Sequence, residues 1–244
     1  FLCLDGLFLE KGKKGTYTSF FTTLFILFLL VINPNKLIAQ STGDYRTNAV
    51  SLNWSATSNW QRWNGSAWIS NPSQGYPGQN TGTGTVTVLN GHTVALNISP
   101  AQSIGSLVVG VGTSGTLTLG NNSTNRTLRV GGNITVNNGA ILNTTGNGGN
   151  VLNIAGSLTN NGTFDMRIGS ATADVTFNGS ANQSVSGAGA TTDYNRITVN
   201  NTGSAGNNIV ELLPSNLTAA AGFLSLTRGA IKMSGSYTFS NTFF

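Results

Sequence analysis

Charged side chains are scarce in this sequence of 244 residues, which has 12 Lys and Arg residues and 7 Asp and Glu residues, or 8% charged residues in total. Soluble domains commonly carry about 25% charged residues. Because an enzyme needs several titratable groups in one place, this composition counts against most catalytic functions. We therefore expect a non-enzymatic protein, an expectation that does not extend to any sequence beyond residue 244.

Histidine and cysteine are almost missing as well, with His92 and Cys3 as the single residue of each type. One His without a Gly-x-Ser-x-Gly elbow gives no basis for a Cys/His zinc site or a hydrolase triad. We therefore predict no catalytic residue, no metal site and no cofactor, and we interpret His92 as a turn residue. The acids beyond residue 39 are too dispersed for paired acid catalysis, although one of them could bind calcium: Asp44, Asp165, Asp174, Asp193 and Glu211.

One glycine-rich stretch, Gly110-Val-Gly112-Thr-Ser-Gly115, matches the Gly-x-Gly-x-x-Gly fingerprint of dinucleotide-binding proteins. That fingerprint opens a helix and is followed about 20 residues later by an acidic residue. Here an alternating strand pattern follows directly, and no acidic residue occurs between Asp44 and Asp165. We therefore interpret the stretch as a turn.

Residues 1–39 have the organisation of a secretory signal peptide. Three lysines between positions 11 and 14 precede a mostly apolar run at 20–32, and a short polar stretch leads to Ala39. The apolar run is shorter than the about 20 residues of a transmembrane helix, although a retained anchor is the alternative. We place cleavage after Ala39 and expect an extracellular or outer cell-surface protein. Residues 1–10 do not fit the pattern, and we interpret them either as misread upstream sequence or as a sign that the sequence is a fragment.

After cleavage the chain carries eight basic and five acidic residues, a formal net charge of +3, without a run of Lys or Arg. Proteins that bind nucleic acids concentrate such residues in a patch or stripe. We therefore expect no nucleic-acid partner, and contact with a membrane only through the transient signal peptide.

Beyond residue 84 the sequence alternates apolar and polar residues in short runs bounded by Gly and Asn, the pattern of half-buried strands. The unit that begins at Leu128 recurs from Leu152, 24 positions later, and further copies begin at Val175 and Ile197. Repeats of this length are typical of solenoids, in which each coil stacks on the next. We therefore predict an all-β protein with a parallel β-solenoid over residues 85–244, truncated at its C-terminus.

An antiparallel β-sandwich is the alternative fold, because Asn-Gly pairs such as Asn90-Gly91 and Asn138-Gly139 could close hairpins. A sandwich, however, gives no reason for a repeated unit of 22–24 residues. The alternation of apolar and polar residues also predicts individual strands, three of which are Phe164-x-Met166-x-Ile168, Leu224-x-Leu226 and Tyr237-x-Phe239.

Residues 40–84 differ from the rest in containing all four Trp residues, at positions 54, 60, 63 and 68. The first coil of a solenoid has an open core and unpaired strand edges, which bulky aromatic side chains can cover. We interpret the segment as a Trp-rich N-terminal cap, with Trp54 and Trp60 buried against the first coil near residues 86–96. The alternative is a sugar-stacking platform, for which Trp63 and Trp68 would be the exposed ligand-stacking pair.

Two stretches resemble secreted surface proteins of the Bacteroidota: the coil Val175-Thr-Phe-Asn-Gly-Ser-Ala-Asn-Gln-Ser-Val-Ser-Gly, and the entry segment with Asn53-Trp54, Asn59-Trp60 and Val86-Thr-Val-Leu-Asn-Gly-His-Thr-Val. The Asn-Gly-His-Thr-Val step is also similar to the eight-glycine β-solenoid domain of extracellular proteins. The resemblance spans residues 43–244 and implies a right-handed β-solenoid delivered to the cell surface by type IX secretion. Because that system needs a C-terminal sorting domain and none is visible, we expect an N-terminal piece of a longer protein.

These observations favour a secreted β-solenoid that serves as the stalk or adhesive part of a larger cell-surface protein. Two alternatives from other classes stay open. The chain could be the N-terminal part of a carbohydrate-active enzyme whose catalytic residues lie beyond residue 244, or a carbohydrate-binding module that acts through the Trp segment. The expected partner is an extracellular polysaccharide or another cell surface.

Mass spectrometry of the secreted protein should find Gln40 at the N-terminus, free or cyclised, because signal peptidase cuts after a small residue such as Ala39. A species that retains residues 20–32 would show instead that this apolar run is a membrane anchor.

Overall fold

The computed structural model of the chain describes residues 39–121, 124–146, 148–189, 191–213, 217–219 and 224–234. The predicted signal peptide, apart from Ala39, and the strand predicted at Tyr237-x-Phe239 lie outside these residues. Within these ranges there is no α-helix, and no helical segment has the length and apolar character needed to span a membrane.

The described ranges contain 23 β-strands, numbered here in chain order, and one turn of 3-10 helix at Thr57–Asn59. Four strands belong to the Trp-rich segment: β1 (Tyr45–Thr47), β2 (Ser51–Asn53), β3 (Trp60–Trp63) and β4 (Trp68–Ser70). The next ten are β5 (Val86–Val88), β6 (Thr93–Leu96), β7 (Leu107–Val109), β8 (Thr116–Leu119), β9 (Thr127–Val130), β10 (Ile134–Val136), β11 (Ile141–Thr144), β12 (Asn150–Ile154), β13 (Leu158–Asn160) and β14 (Thr163–Asp165). The others are β15 (Arg167–Ile168), β16 (Ala171–Phe177), β17 (Gln183–Ser186), β18 (Thr191–Tyr194), β19 (Arg196–Asn200), β20 (Ile209–Leu212), β21 (Leu217–Ala219), β22 (Leu224–Arg228) and β23 (Ala230–Met233).

Three sheets hold these strands, and neighbours within a sheet come from successive coils. Sheet A runs β23-β20-β17-β13-β10-β7-β5-β1-β3-β4, sheet B runs β2-β6-β8-β11-β14-β18-β21, and sheet C runs β22-β19-β16-β12-β9 with β15 beside β16. The pairs are parallel apart from β1–β3, β3–β4 and β15–β16. The chain is a right-handed parallel β-solenoid of about six turns. The predicted fold is therefore confirmed, and the antiparallel sandwich is excluded.

The predicted repeat sets the pairing register of sheet C. Leu128 pairs with Leu152, Leu152 with Val175, and Val175 with Ile197. All four side chains are fully buried and belong to one continuous core. Because successive residues of a strand face opposite sides of the sheet, this register places an apolar column inside the solenoid and polar columns outside it.

Side-chain amides at the corners bind the backbone of neighbouring coils. The buried Asn150 Nδ2 donates to the carbonyl oxygens of Leu119 at 3.2 Å and Thr145 at 3.0 Å. Its Oδ1 accepts the backbone N–H of Arg126, 24 residues earlier, at 2.8 Å. Buried polar groups are tolerated when they are hydrogen-bonded in this way. The high Asn content of the sequence therefore has a structural use at the corners.

The segment from Phe164 to Ile168 departs from the predicted single strand. Phe164 and Met166 are buried as the alternation predicts, but Ile168 is 43% exposed. The chain reverses at Gly169, whose φ is +61°, so that β15 pairs with β16 in antiparallel fashion. The reversal needs a left-handed backbone conformation that glycine adopts without strain, and this ends the alternation after Met166.

The last described coil is less well covered than those before it. Leu224 and Leu226 of β22 pair with the buried Ile197 and Val199, yet Leu226 is 57% exposed. Among the described strands, β22 has a sheet neighbour on one side only. The alternation predicted a half-buried strand here, and the exposure of Leu226 departs from it.

Trp54 and Trp60 pack on the first coil of the core. β1 and β2 pair in parallel with β5 and β6, and β3 then returns antiparallel to β1. Both indoles are fully buried, with ring centroids 5.0 Å apart and planes at 66°. Trp54 Nε1 donates to the Pro77 carbonyl and Trp60 Nε1 to the Trp54 carbonyl, each at 2.9 Å. The predicted burial of both Trp residues is confirmed.

Replacing Trp60 with Ala should lower the free energy of unfolding by about 3–5 kcal/mol, because the lost indole leaves a cavity at the end of the core. Urea denaturation of the purified protein measures this change. Trp68→Ala is the matched control, since it truncates a half-buried indole in the same hairpin and should cost much less. An equal loss in the two variants would contradict the role of Trp60 in closing the core.

Candidate functional site

The hairpin β3–β4 extends sheet A beyond the first coil and carries two Trp side chains on its outer face. Trp63 and Trp68 are directly opposite each other in the antiparallel pairing. Their ring centroids lie 5.5 Å apart with planes at 61°, an edge-to-face arrangement. Both side chains are half-buried. The fold therefore brings the sequence-predicted pair together at the surface, and its ligand-stacking role stays a prediction.

A tight turn at Asn64 and Gly65 fixes this hairpin. Asn64 Oδ1 accepts the backbone N–H of Ser66 at 2.9 Å and of Ala67 at 2.8 Å. Gly65 has a φ of +107°, which L residues with a side chain rarely adopt. Asn followed by Gly is thus the local sequence signal that places Trp63 opposite Trp68.

Arg46 and Gln61 lie beside the Trp pair. Arg46 of β1 is opposite Gln61 of β3, and Arg46 Nε donates to Gln61 Oε1 at 2.6 Å. The guanidinium carbon of Arg46 lies 4.4 Å from the ring centroid of Trp68, a cation–π geometry. The other nitrogens of Arg46 have no hydrogen-bond partner within the described ranges. We call Arg46, Gln61, Trp63 and Trp68 the aromatic face.

The aromatic face combines the two properties that binding of a sugar requires. The half-buried indoles offer apolar surface for the C–H groups of sugar rings, while the guanidinium nitrogens of Arg46 that are not bonded to Gln61 offer donors for hydroxyls. Partial burial lowers the pKa of Arg46 from its ordinary value. The guanidinium nevertheless stays protonated at neutral pH, so the face carries a positive charge.

The sequence alone did not identify Arg46 and Gln61 as members of this face. The alternation in Tyr45-Arg46-Thr47 marks Arg46 as outward-facing, because Tyr45 and Thr47 are the buried positions. The contact with Gln61 and Trp68, however, depends on the antiparallel return of β3 along β1. No periodic signal encodes that return, since the repeated strands of sheet A, from β5 to β23, pair in parallel.

His92 lies in the turn between β5 and β6, as predicted. Its Nδ1 is 2.7 Å from Thr47 Oγ1, which also accepts the backbone N–H of Leu89 at 3.0 Å. The hydroxyl proton of Thr47 is therefore free to point at Nδ1, and the neutral ring with its proton on Nε2 fits the site. Burial accordingly lowers the pKa of His92.

The Gly110-x-Gly112-x-x-Gly115 stretch is a turn that joins β7 to β8, as predicted. Its three glycines have φ values of +74°, +129° and +117°. The strand β8 follows directly where a dinucleotide site would require the N-terminus of a helix.

Three of the four carboxylates of the later coils form ion pairs, and the fourth, Asp165, accepts the backbone N–H of Arg167. The pairs are Arg167–Asp193 at 3.2 Å, Arg196–Asp174 at 3.6 Å and Lys232–Glu211 at 2.8 Å. The hydrogen bond from Lys232 holds the pKa of Glu211 below its usual range. Across the part of the chain that the structure describes, no three His, Cys, Asp or Glu side chains lie close enough to share a metal ion.

The fold places the chain in the class of right-handed parallel β-solenoids. Comparisons with protein-family models, with curated proteins and with solved structures find no match to it. The arrangement of the coils and the aromatic face are therefore the basis on which a function can be proposed.

The stability of the protein should fall as the pH decreases from about 7.5 to 5.5, around the ordinary His pKa of about 6.5. Because the pKa of His92 is lowered in the folded state, the unfolded chain binds the proton more readily and gains from acidification. Urea denaturation at the two pH values measures the effect, and His92→Gln should reduce the difference. An unchanged pH dependence in that variant would assign the effect to other groups.

Proposed function

We propose that this protein is a secreted, non-enzymatic β-solenoid that serves as the stalk or adhesive part of a larger cell-surface protein. The observation that carries the proposal is the continuous stack of coils, in which strands pair through all three sheets. Such a stack grows in one dimension and presents side chains along extended outer faces, which suits a spacer and a surface for multipoint contact.

The hydrogen bonds between coils support a role as a stalk that resists mechanical force. In the middle of the stack, β10, β11 and β12 each pair with strands on both sides. Side chains add to these ladders, as where Asn133 Oδ1 accepts the backbone N–H of Ser157 on the next coil at 2.8 Å. Separating two coils therefore requires many hydrogen bonds to break together.

Export to the cell surface is supported by the sequence. The lysines before the apolar run at 20–32 and the small residue Ala39 fit a secretory signal peptide. The resemblance to surface proteins of the Bacteroidota adds delivery by type IX secretion to the proposal. The scarcity of charged residues, 8% of the sequence, supports a non-enzymatic role, because an enzyme needs several titratable groups in one place.

Carbohydrate binding through the Trp segment is the second candidate function. The observation that favours it is the half-buried Trp63–Trp68 pair, which lies beside the guanidinium of Arg46 and the amide of Gln61. The two candidates are compatible, because an adhesive stalk needs a surface that contacts its target.

Antibodies against the chain should label intact native cells, and external protease should remove the label, because the proposal places the solenoid outside the cell. Cells that lack the gene should attach severalfold less to a polysaccharide-coated surface than the parent cells. Re-expression of the chain is the control and should restore attachment. Label confined to the cell interior, or attachment that does not depend on the gene, would overturn the proposal.

A further inference from the structure

Charge is unevenly distributed along the solenoid. Residues 40–130 contain four Arg residues and one acid, a net charge of +3, whereas residues 131–244 contain four basic and four acidic residues. All of the net positive charge after cleavage therefore belongs to residues 40–130, which we call the early coils. These are the coils that carry the aromatic face.

None of the Arg residues of the early coils forms an ion pair with an acidic side chain of the described ranges. Their one acid, Asp44, is buried and accepts the backbone N–H groups of Ser41 and Thr85 at 2.7 Å each. Every ion pair among the described residues lies in the later coils. The cations of the early coils that have no ion-pair partner in the described part of the chain are Arg46, Arg62, Arg126 and Arg129.

Arg46 is the one of these four cations that lies on the aromatic face. Arg62 has the opposite orientation in β3, with its Nη2 3.4 Å from the Gly82 carbonyl oxygen. Arg126 and Arg129 lie at sheet C, away from the hairpin. Arg46 uses Nε for Gln61 and keeps its other N–H groups for a ligand. A carboxylate placed there would gain charge-assisted hydrogen bonds next to an apolar ring.

A column of outward-facing side chains continues from Arg46 along sheet A. The column is set by direct pairing from coil to coil and consists of Arg46, Thr87, Val108, Thr135, Thr159 and Ser186. At roughly 4.8 Å between strands, its five steps span about 24 Å along the solenoid axis. Four of its members are hydroxyl residues that can hydrogen-bond to a polymer lying along the stack.

We propose that the ligand of the aromatic face is a linear acidic polysaccharide, whose sugars carry carboxylates, lying along sheet A. One sugar stacks at Trp63 and Trp68, its carboxylate binds the guanidinium of Arg46, and the following sugars contact the hydroxyl column. This proposal rests on carbohydrate binding as the adhesive activity and adds the charge and the direction of the bound chain.

Binding of polygalacturonate to the secreted full-length chain tests the proposal, with the methyl-esterified polymer as a probe of the same backbone without charge. Arg46→Gln should weaken binding of polygalacturonate about tenfold, the usual effect of losing a charge-assisted hydrogen bond. Arg129→Gln is the matched control, because it removes one positive charge from sheet C, and it should change the affinity less than twofold. Longer oligogalacturonates should bind more tightly than the disaccharide, and Arg46→Gln should weaken binding of the ester much less than binding of the acid.

Three results would overturn the proposal: equal weakening by Arg46→Gln and Arg129→Gln, equal affinity for the ester and the acid, or binding of single-stranded DNA as tight as that of polygalacturonate. The double variant Trp63→Ala/Trp68→Ala separates this failure from that of carbohydrate binding itself. If the double variant loses binding of the neutral ester while Arg46→Gln has no effect on the acid, carbohydrate binding stands and the acidic ligand is wrong. If neither polymer binds to the parent protein, carbohydrate binding and the acidic ligand are both wrong. The labelling of intact cells then still tests the proposal that the solenoid is a cell-surface stalk.

Discussion

The in-register stacking of equivalent positions in successive coils is the constraint on which the rest of this molecule depends. Each side chain has a counterpart one strand spacing above and below it, so any charge on an outer column faces its neighbour at close range. Asp165 and Asp193 are paired in this way, and Arg167 binds both: its backbone N–H donates to Asp165 at 3.1 Å and its Nη2 to Asp193 at 3.2 Å. A stacked like-charged pair thus requires a cation beside it, and a chain with few charges avoids the requirement.

The corners obey the same constraint with side-chain amides. Asn90 Oδ1 accepts the backbone N–H of Val111 at 2.8 Å, and Gln183 Nε2 donates to the carbonyls of Ile154 at 2.9 Å and Gly156 at 2.6 Å. These bonds cross from one coil to the next, which keeps the corners aligned while the strands stay short. The abundance of Asn and Gly and the scarcity of charge are therefore two consequences of one architecture.

The sequence was informative where structure is periodic and uninformative where it is not. The recurrence of Leu128 at Leu152 was enough to predict parallel coils, because a repeated inward position has no other simple explanation. The burial of Trp60 could be predicted because an open core end needs an apolar cover. The contact of Arg46 with Trp68 could not be predicted, since it depends on two antiparallel pairings of β3, with β1 and with β4, that the repeats do not encode.

The strand β3 both closes the core and presents the aromatic face. Trp60 and Trp63 are three positions apart in the same strand, so the alternation of β3 sends them to opposite faces. Once Trp60 enters the core, Trp63 must point outward, and the Asn64-Gly65 turn then places Trp68 beside it. A ligand that binds the outer pair only when β3 is in place would also stabilise this end of the solenoid, to an extent that rises with the ligand concentration relative to its Kd. The proposed adhesive surface belongs at this end because the strand that carries it is already fixed by the core.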